Sequence, residues 1–134
     1  MRVDLYLNYP GTCEEAFRFY AAQLHGTLGP FARHEMAPNP NIPADWERKV
    51  MHAQLQLGNL VLMGSDVPAA QPTRSAYVTL TLDTVEEAER VYAVLGEGGE
   101  IFMKMAETFF ATRFAMLRDR FGISWMLLQG VRQS

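Results

Sequence analysis

Residues 3–26 read VDLYLNYPGTCEEAFRFYAAQLHG, and residues 75–98 read SAYVTLTLDTVEEAERVYAVLGEG. Set 72 positions apart, the two stretches carry the same parts in the same order. VDLYLNY and AYVTLTL are strands rich in β-branched and aromatic residues. Thr12 with Glu15, and Thr84 with Glu87, are capping boxes: the hydroxyl accepts a first-turn N–H and the carboxylate reaches back to the cap. Tyr92 falls where Tyr20 fell, and Gly98 where Gly26 fell. Ala16, Phe17, Phe19, Tyr20 and Leu24 form an apolar helical stripe, with Gly26 as its stop. One capping box is a weak signal, but a whole unit repeated at one offset decides the architecture.

The rest of each unit follows suit. After the first helix come an uncertain strand near Leu28–Glu35, a loop over Ala37–Pro43, a strand over Lys49–Leu57, the hairpin pair Gly58-Asn59, and a strand over Leu60–Met63. After the second come Glu100–Met103, Thr112–Arg118, a turn at Arg120–Gly122, and Ile123–Gln129. Each unit thus reads β-α-β-β-β. Val67–Thr73, with Pro68 and Pro72, joins them. The expectation is one α+β domain over 1–134, with modules at about 1–66 and 74–130, because neither half alone is expected to bury its helix and sheet well. Such modules usually pair into a curved, partly open mixed barrel with an inner pocket.

Bulk properties limit the function. A net charge of -3 and the lack of any Lys/Arg run argue against nucleic acid. The apolar stretches are too short to span a membrane. The N-terminal MRVDLYLNYPG shows no signal-peptide pattern, and the lone Cys13 suits a reducing cytoplasm. A cytoplasmic protein handling a small molecule or a protein partner is expected.

Period-2 alternation assigns faces. His52, Gln54 and Gln56 share one face of their strand; Met51, Ala53, Leu55 and Leu57 share the other. The polar face is expected to line the pocket, where buried polar groups need partners. Tyr77, Thr79 and Thr81 share a face, as do Ser124, Met126 and Leu128.

Several segments resemble the PhnB-like branch of the vicinal oxygen chelate superfamily, which includes glyoxalase and bleomycin-resistance proteins. They are Tyr6-Leu7-Asn8-Tyr9, Glu15-Ala16-Phe17-Arg18-Phe19-Tyr20, Met51-His52-Ala53-Gln54-Leu55, Glu107-Thr108-Phe109-Phe110 and Asp119-Arg120-Phe121-Gly122-Ile123-Ser124-Trp125-Met126. The last is the most specific. The resemblance covers about Val3 to Leu128. It implies the glyoxalase/bleomycin-resistance fold, a homodimer and a cavity. In metal-dependent relatives four inner side chains hold a divalent ion that polarises a substrate oxygen. The resemblance places those positions at Leu5, Gln54, Tyr77 and Met126, a poor set for a hard cation. No metal or other cofactor is therefore expected.

The chemical candidates each have a plainer reading. His52 is an acid/base or ligand contact, or a satisfied core histidine. Gln54 binds a ligand carbonyl or pairs with Tyr77; Tyr77 donates to a ligand or fills space. Glu107, among Met105 and Phe109, is a base of raised pKa or a solvated acid paired with Arg113 or Arg118. His52 with Glu107 is also a weak candidate metal pair. Phe109, Phe110, Phe114, Met103, Met105 and Met116 form a soft apolar patch for core, dimer or ligand, and Met126 is a separate candidate ligand contact. Trp46 lies in a candidate lid. Cys13, in the first helical turn where the dipole lowers a thiol pKa, is assigned no role. The first functional expectation is metal-free binding of a small apolar or aromatic molecule in the inner cavity. The alternatives are a metal-independent lyase, isomerase or transferase using His52 and Glu107, or a purely structural role. A methyltransferase label attached to some PhnB-like proteins has no glycine-rich cofactor loop behind it here.

Overall fold

The computed structural model describes residues 1–132. The chain divides into two compact units, Met1–Gln71 and Pro72–Ser134. In the first, β1 (Leu5–Tyr9) leads into α1 (Cys13–Leu24), followed by short strands β2 (Thr27–Leu28) and β3 (Ala32–Arg33), then β4 (Val50–Leu57) and β5 (Leu60–Asp66). The sheet order is β1-β5-β4-β2, with β3 also on β4. β1 runs parallel to β5, and the other pairs are antiparallel. In the second, β6 (Val78–Leu82) and α2 (Val85–Gly96) precede β7 (Glu100–Ala106), β8 (Ala111–Arg118) and β9 (Ser124–Val131). The order β6-β9-β8-β7 repeats the first pattern, again with the first strand parallel to the last. Each unit is therefore a βαβββ sheet, as the repeat predicts. The strand expected near Leu28–Glu35 is broken into β2 and β3, with a register shift at Ala32/Arg33.

Each sheet carries its helix on one face. In unit one Phe17 and Tyr20 of α1 are fully buried with Ala53, Leu55 and Leu62. At Gly64 an added Cβ would lie 2.9 Å from the Phe17 ring, so the glycine lets the helix approach the sheet. In unit two Ala88, Val91 and Leu95 of α2 are buried with Ala115, Leu117 and Leu127. Each helix thus packs against the sheet of its own unit.

The repeat is not exact at its first turn. Residues 10–12 separate β1 from α1, whereas residues 83–84 separate β6 from α2. The helices correspond at an offset of 72 residues, the strands before them at 73. Thr84 caps α2 as predicted, accepting Glu87 N–H at 3.1 Å. Thr12 makes no such bond, and its buried hydroxyl has no partner. The longer turn brings another acceptor into place. Asp66 Oδ1 takes the N–H groups of Gly11 (3.1 Å) and Cys13 (2.9 Å), and Oδ2 takes that of Val50 (2.9 Å). A buried carboxylate from β5 thus does the work of the cap. The helix C-cap is left-handed His25 rather than Gly26; Gly98 does adopt a positive φ, two residues beyond α2.

The Asp119–Trp125 motif is also structural. Asp119 Oδ1 accepts the N–H groups of Phe121 (2.9 Å) and Ile123 (3.0 Å), and Oδ2 accepts the Trp125 indole N–H at 2.8 Å. The carboxylate and the indole are both buried. The glycine permits the turn at φ 99°.

Candidate functional site

The uncovered face of each sheet carries the candidate chemistry. In unit one Tyr6 pairs in register with Met63, and Met63 with Gln54. The three form one row across β1, β5 and β4, on the face opposite buried Leu7, Ala53, Leu55 and Leu62. His52 lies next along β4. Its Nδ1 is 3.1 Å from the Tyr6 hydroxyl and its Nε2 is 3.2 Å from Gln54 Nε2. An amide nitrogen only donates, so His52 Nε2 accepts and Nδ1–H donates to the Tyr6 oxygen. The phenolic proton of Tyr6 is then left for an outside acceptor. Ser65 donates to Asn8 on the same face at 3.2 Å. Gln54 therefore pairs with His52 within its own unit.

The one-residue difference in turn length corrects a second expectation. Leu5 pairs with fully buried Leu62 and shares the helix-side face of Leu7 and Tyr9. It does not share Gln54's face; Tyr6 does. A one-residue change flips every side chain of a strand.

In unit two Met103 pairs with Met116, Met116 with Met126, and Met126 with Thr79. Three thioethers therefore stand in a line across β7, β8 and β9. Phe114 and Leu128 form the neighbouring pair on that face, and Phe110 stacks edge-on to Phe114 with ring centroids 5.0 Å apart. Met103 remains 48% exposed, so this apolar face lies open within its own unit. Phe109 is more exposed still and contacts Phe110 edge-on. Tyr77 just precedes β6; its hydroxyl accepts from Arg74, and its ring meets Phe102 at 6.5 Å.

Two other expectations change. Glu107 sits in the β7–β8 turn, paired with Arg132 and 63% exposed. That ion pair holds its carboxyl below the usual range rather than raising it. Arg113 pairs instead with Glu89, and Arg118 lies 3.7 Å from Glu100. The Cys13 thiol is pushed up by burial and then by the charges of Asp66 and Glu14, not lowered as its place in the first helical turn suggests. Trp46 closes a short 3-10 turn, Ala44–Trp46, and its ring lies beside Gly11.

Among the described residues no three His, Cys, Asp or Glu side chains gather as a metal set would require. A single imidazole, His52, among amide, phenol, hydroxyl and thioether groups does not fit a hard divalent ion, which wants several converging carboxylate or imidazole donors.

The family described as 3-demethylubiquinone-9 3-methyltransferase matches residues 2–128. The chain belongs to that family. YjdN of Escherichia coli strain K12 is 29% identical over 95% of this chain and 94% of its own. Protein PA1353 of Pseudomonas aeruginosa is 38% identical, covering 97% and 98% of the two chains, with a TM-score of 0.84. The PhnB protein of Bacillus cereus is 25% identical over 97% and 100%, with a TM-score of 0.82. FosX, a fosfomycin resistance protein of Listeria monocytogenes, shares the fold at 10% identity and a TM-score of 0.67, covering 98% and 94%. The PhnB-like resemblance and the glyoxalase-type fold are thereby met. No helix among the described residues is long and apolar enough to cross a membrane.

Proposed function

We propose that this PhnB-like protein binds a small apolar or aromatic molecule against the uncovered face of its second sheet, without a divalent metal. The in-register row Met103–Met116–Met126 carries this reading. Thioethers are polarisable and adapt to irregular shapes, and three in line beside Phe114 and Phe110 make a soft aromatic-binding surface. The test is fluorescence titration with N-phenyl-1-naphthylamine, a neutral apolar dye. Met116→Gln and Met126→Gln are expected to weaken binding several-fold with the melting temperature little changed. Unaltered binding in both variants would end the proposal.

A second reading has one specific observation behind it. His52 has both ring nitrogens engaged, by Tyr6 and Gln54. This arrangement fixes a tautomer and suits metal-independent proton transfer at the first sheet. Glu107, ion-paired and held ionised, is a poor proton acceptor beside it. A lyase, isomerase or transferase of this kind would lose turnover in His52→Ala while keeping its fold.

A further inference from the structure

One end of the thioether face is cationic. Arg118 and Ser124 pair directly, two residues from Met116 and Met126 on the same face. Tyr77 stands two residues before Thr79 on that face. This second row therefore lies about 7 Å from the methionines, twice the rise per strand residue. The β7 register shifts between Ile101 and Met103. Such a bulge re-aims the residue within it, here Phe102, whose ring meets Tyr77 edge-on.

Two guanidiniums gather at that ring. Arg74 lies over it at 3.8 Å and Arg118 at 5.3 Å. Arg74 also donates to the Tyr77 hydroxyl. Arg118 Nε donates to the Thr73 carbonyl at 3.2 Å. Its nearest carboxylate, Glu100, is 3.7 Å away and 63% exposed. Arg74 has no carboxylate within 4.0 Å among the described residues. Stacking and the phenol bond hold its plane while leaving donors unused, and a guanidinium presents five. Two cations on one ring, with a single loose acid near Arg118, leave a local positive excess beside an apolar row.

We infer that the ligand is an amphipathic anion: an aromatic or aliphatic body on Met103, Met116 and Met126, with a carboxylate, sulfonate or phosphate group reaching Arg74 and Arg118. This rests on the apolar-binding reading and adds the charge at one end. The Tyr77 hydroxyl, which accepts from Arg74, has its own proton to give the same anionic group.

A matched pair of dyes separates the two claims. 1-Anilinonaphthalene-8-sulfonate has the ring system of N-phenyl-1-naphthylamine plus one anionic group. The wild-type chain is expected to bind the sulfonate at least ten-fold more tightly, with the advantage shrinking as salt rises. Arg74→Gln should remove most of that advantage while leaving neutral-dye binding and the melting temperature unchanged; Arg118→Gln is the second variant, read by the same ratio. If both dyes bind with equal affinity, or the ratio ignores both arginines, the anionic end is refuted and the apolar reading stands. If neither dye responds to the methionine substitutions, the apolar reading falls, and this inference with it.

Discussion

The Trp125 indole donates to the Asp119 carboxylate at 2.8 Å, and both groups are buried. Asp119→Ala would strand that indole and the N–H groups of Phe121 and Ile123. Each lost bond to a charged acceptor is worth about 1.5–3 kcal/mol, so a loss of about 3 kcal/mol or more is expected. Urea unfolding measures it. A loss below about 1 kcal/mol would mean the motif is not a structural clasp.

The two threonines that look alike in sequence should behave differently. Thr84→Ala removes a formed cap and is expected to cost about 1 kcal/mol. Thr12→Ala removes a buried hydroxyl that bonds to nothing, and a change within about 0.5 kcal/mol is expected. Equal losses in thermal or urea unfolding would contradict the substitution of Asp66 for the first cap.

Gly64→Ala is expected to destabilise by about 1–3 kcal/mol, because its methyl would press on Phe17. Pairing it with Phe17→Leu should relieve part of the strain, so the double variant loses less than the sum of the singles. Strict additivity would show that the helix is not held off at this point.

Glu14 accepts from Arg33 and Arg18 together. The Arg33 bond, then the Arg18 bond, lowers its carboxyl from 4.5 to about 2. A depressed folded-state value contributes stability that is present above the unfolded value and lost as pH falls through the folded one. Acid unfolding should therefore show a component between about pH 4.5 and about pH 2 that disappears in Glu14→Gln. An identical acid profile in the variant would rule out the contribution.

Most of the fold was legible because hydrophobic periodicity and punctuation are local signals. The helices, the Gly58-Asn59 hairpin and the β4 face assignments follow from them. The site was harder to read. Alternation along β4 puts His52 and Gln54 on one face, whereas the superfamily pattern points to Leu5 where the structure brings Tyr6 to that face. The lengths of Pro10-Gly11-Thr12 and Asp83-Thr84 were the available signal. The raised-pKa reading of Glu107 fails because its apolar neighbours in sequence are not its neighbours in space, while the solvated, ion-paired reading holds with a different arginine. Its partner Arg132 lies at the far end of β9. The Arg74–Phe102–Arg118 stack joins a linker and two strands through a bulge, which no periodicity encodes.

The extra residue ahead of the first helix leaves the alternation of the strand before it intact. Leu5 and Leu7 face the helix side as Val78 and Leu80 do, and Tyr6 faces outward as Thr79 does. Two halves of one repeated pattern thereby present unlike chemistry, imidazole and phenol on one, sulfur and arginine on the other, through substitution within a shared alternation. Deleting Gly11 should then leave Leu5 and Leu7 toward the helix and Tyr6 outward, and cost the first turn one of the N–H groups that Asp66 accepts.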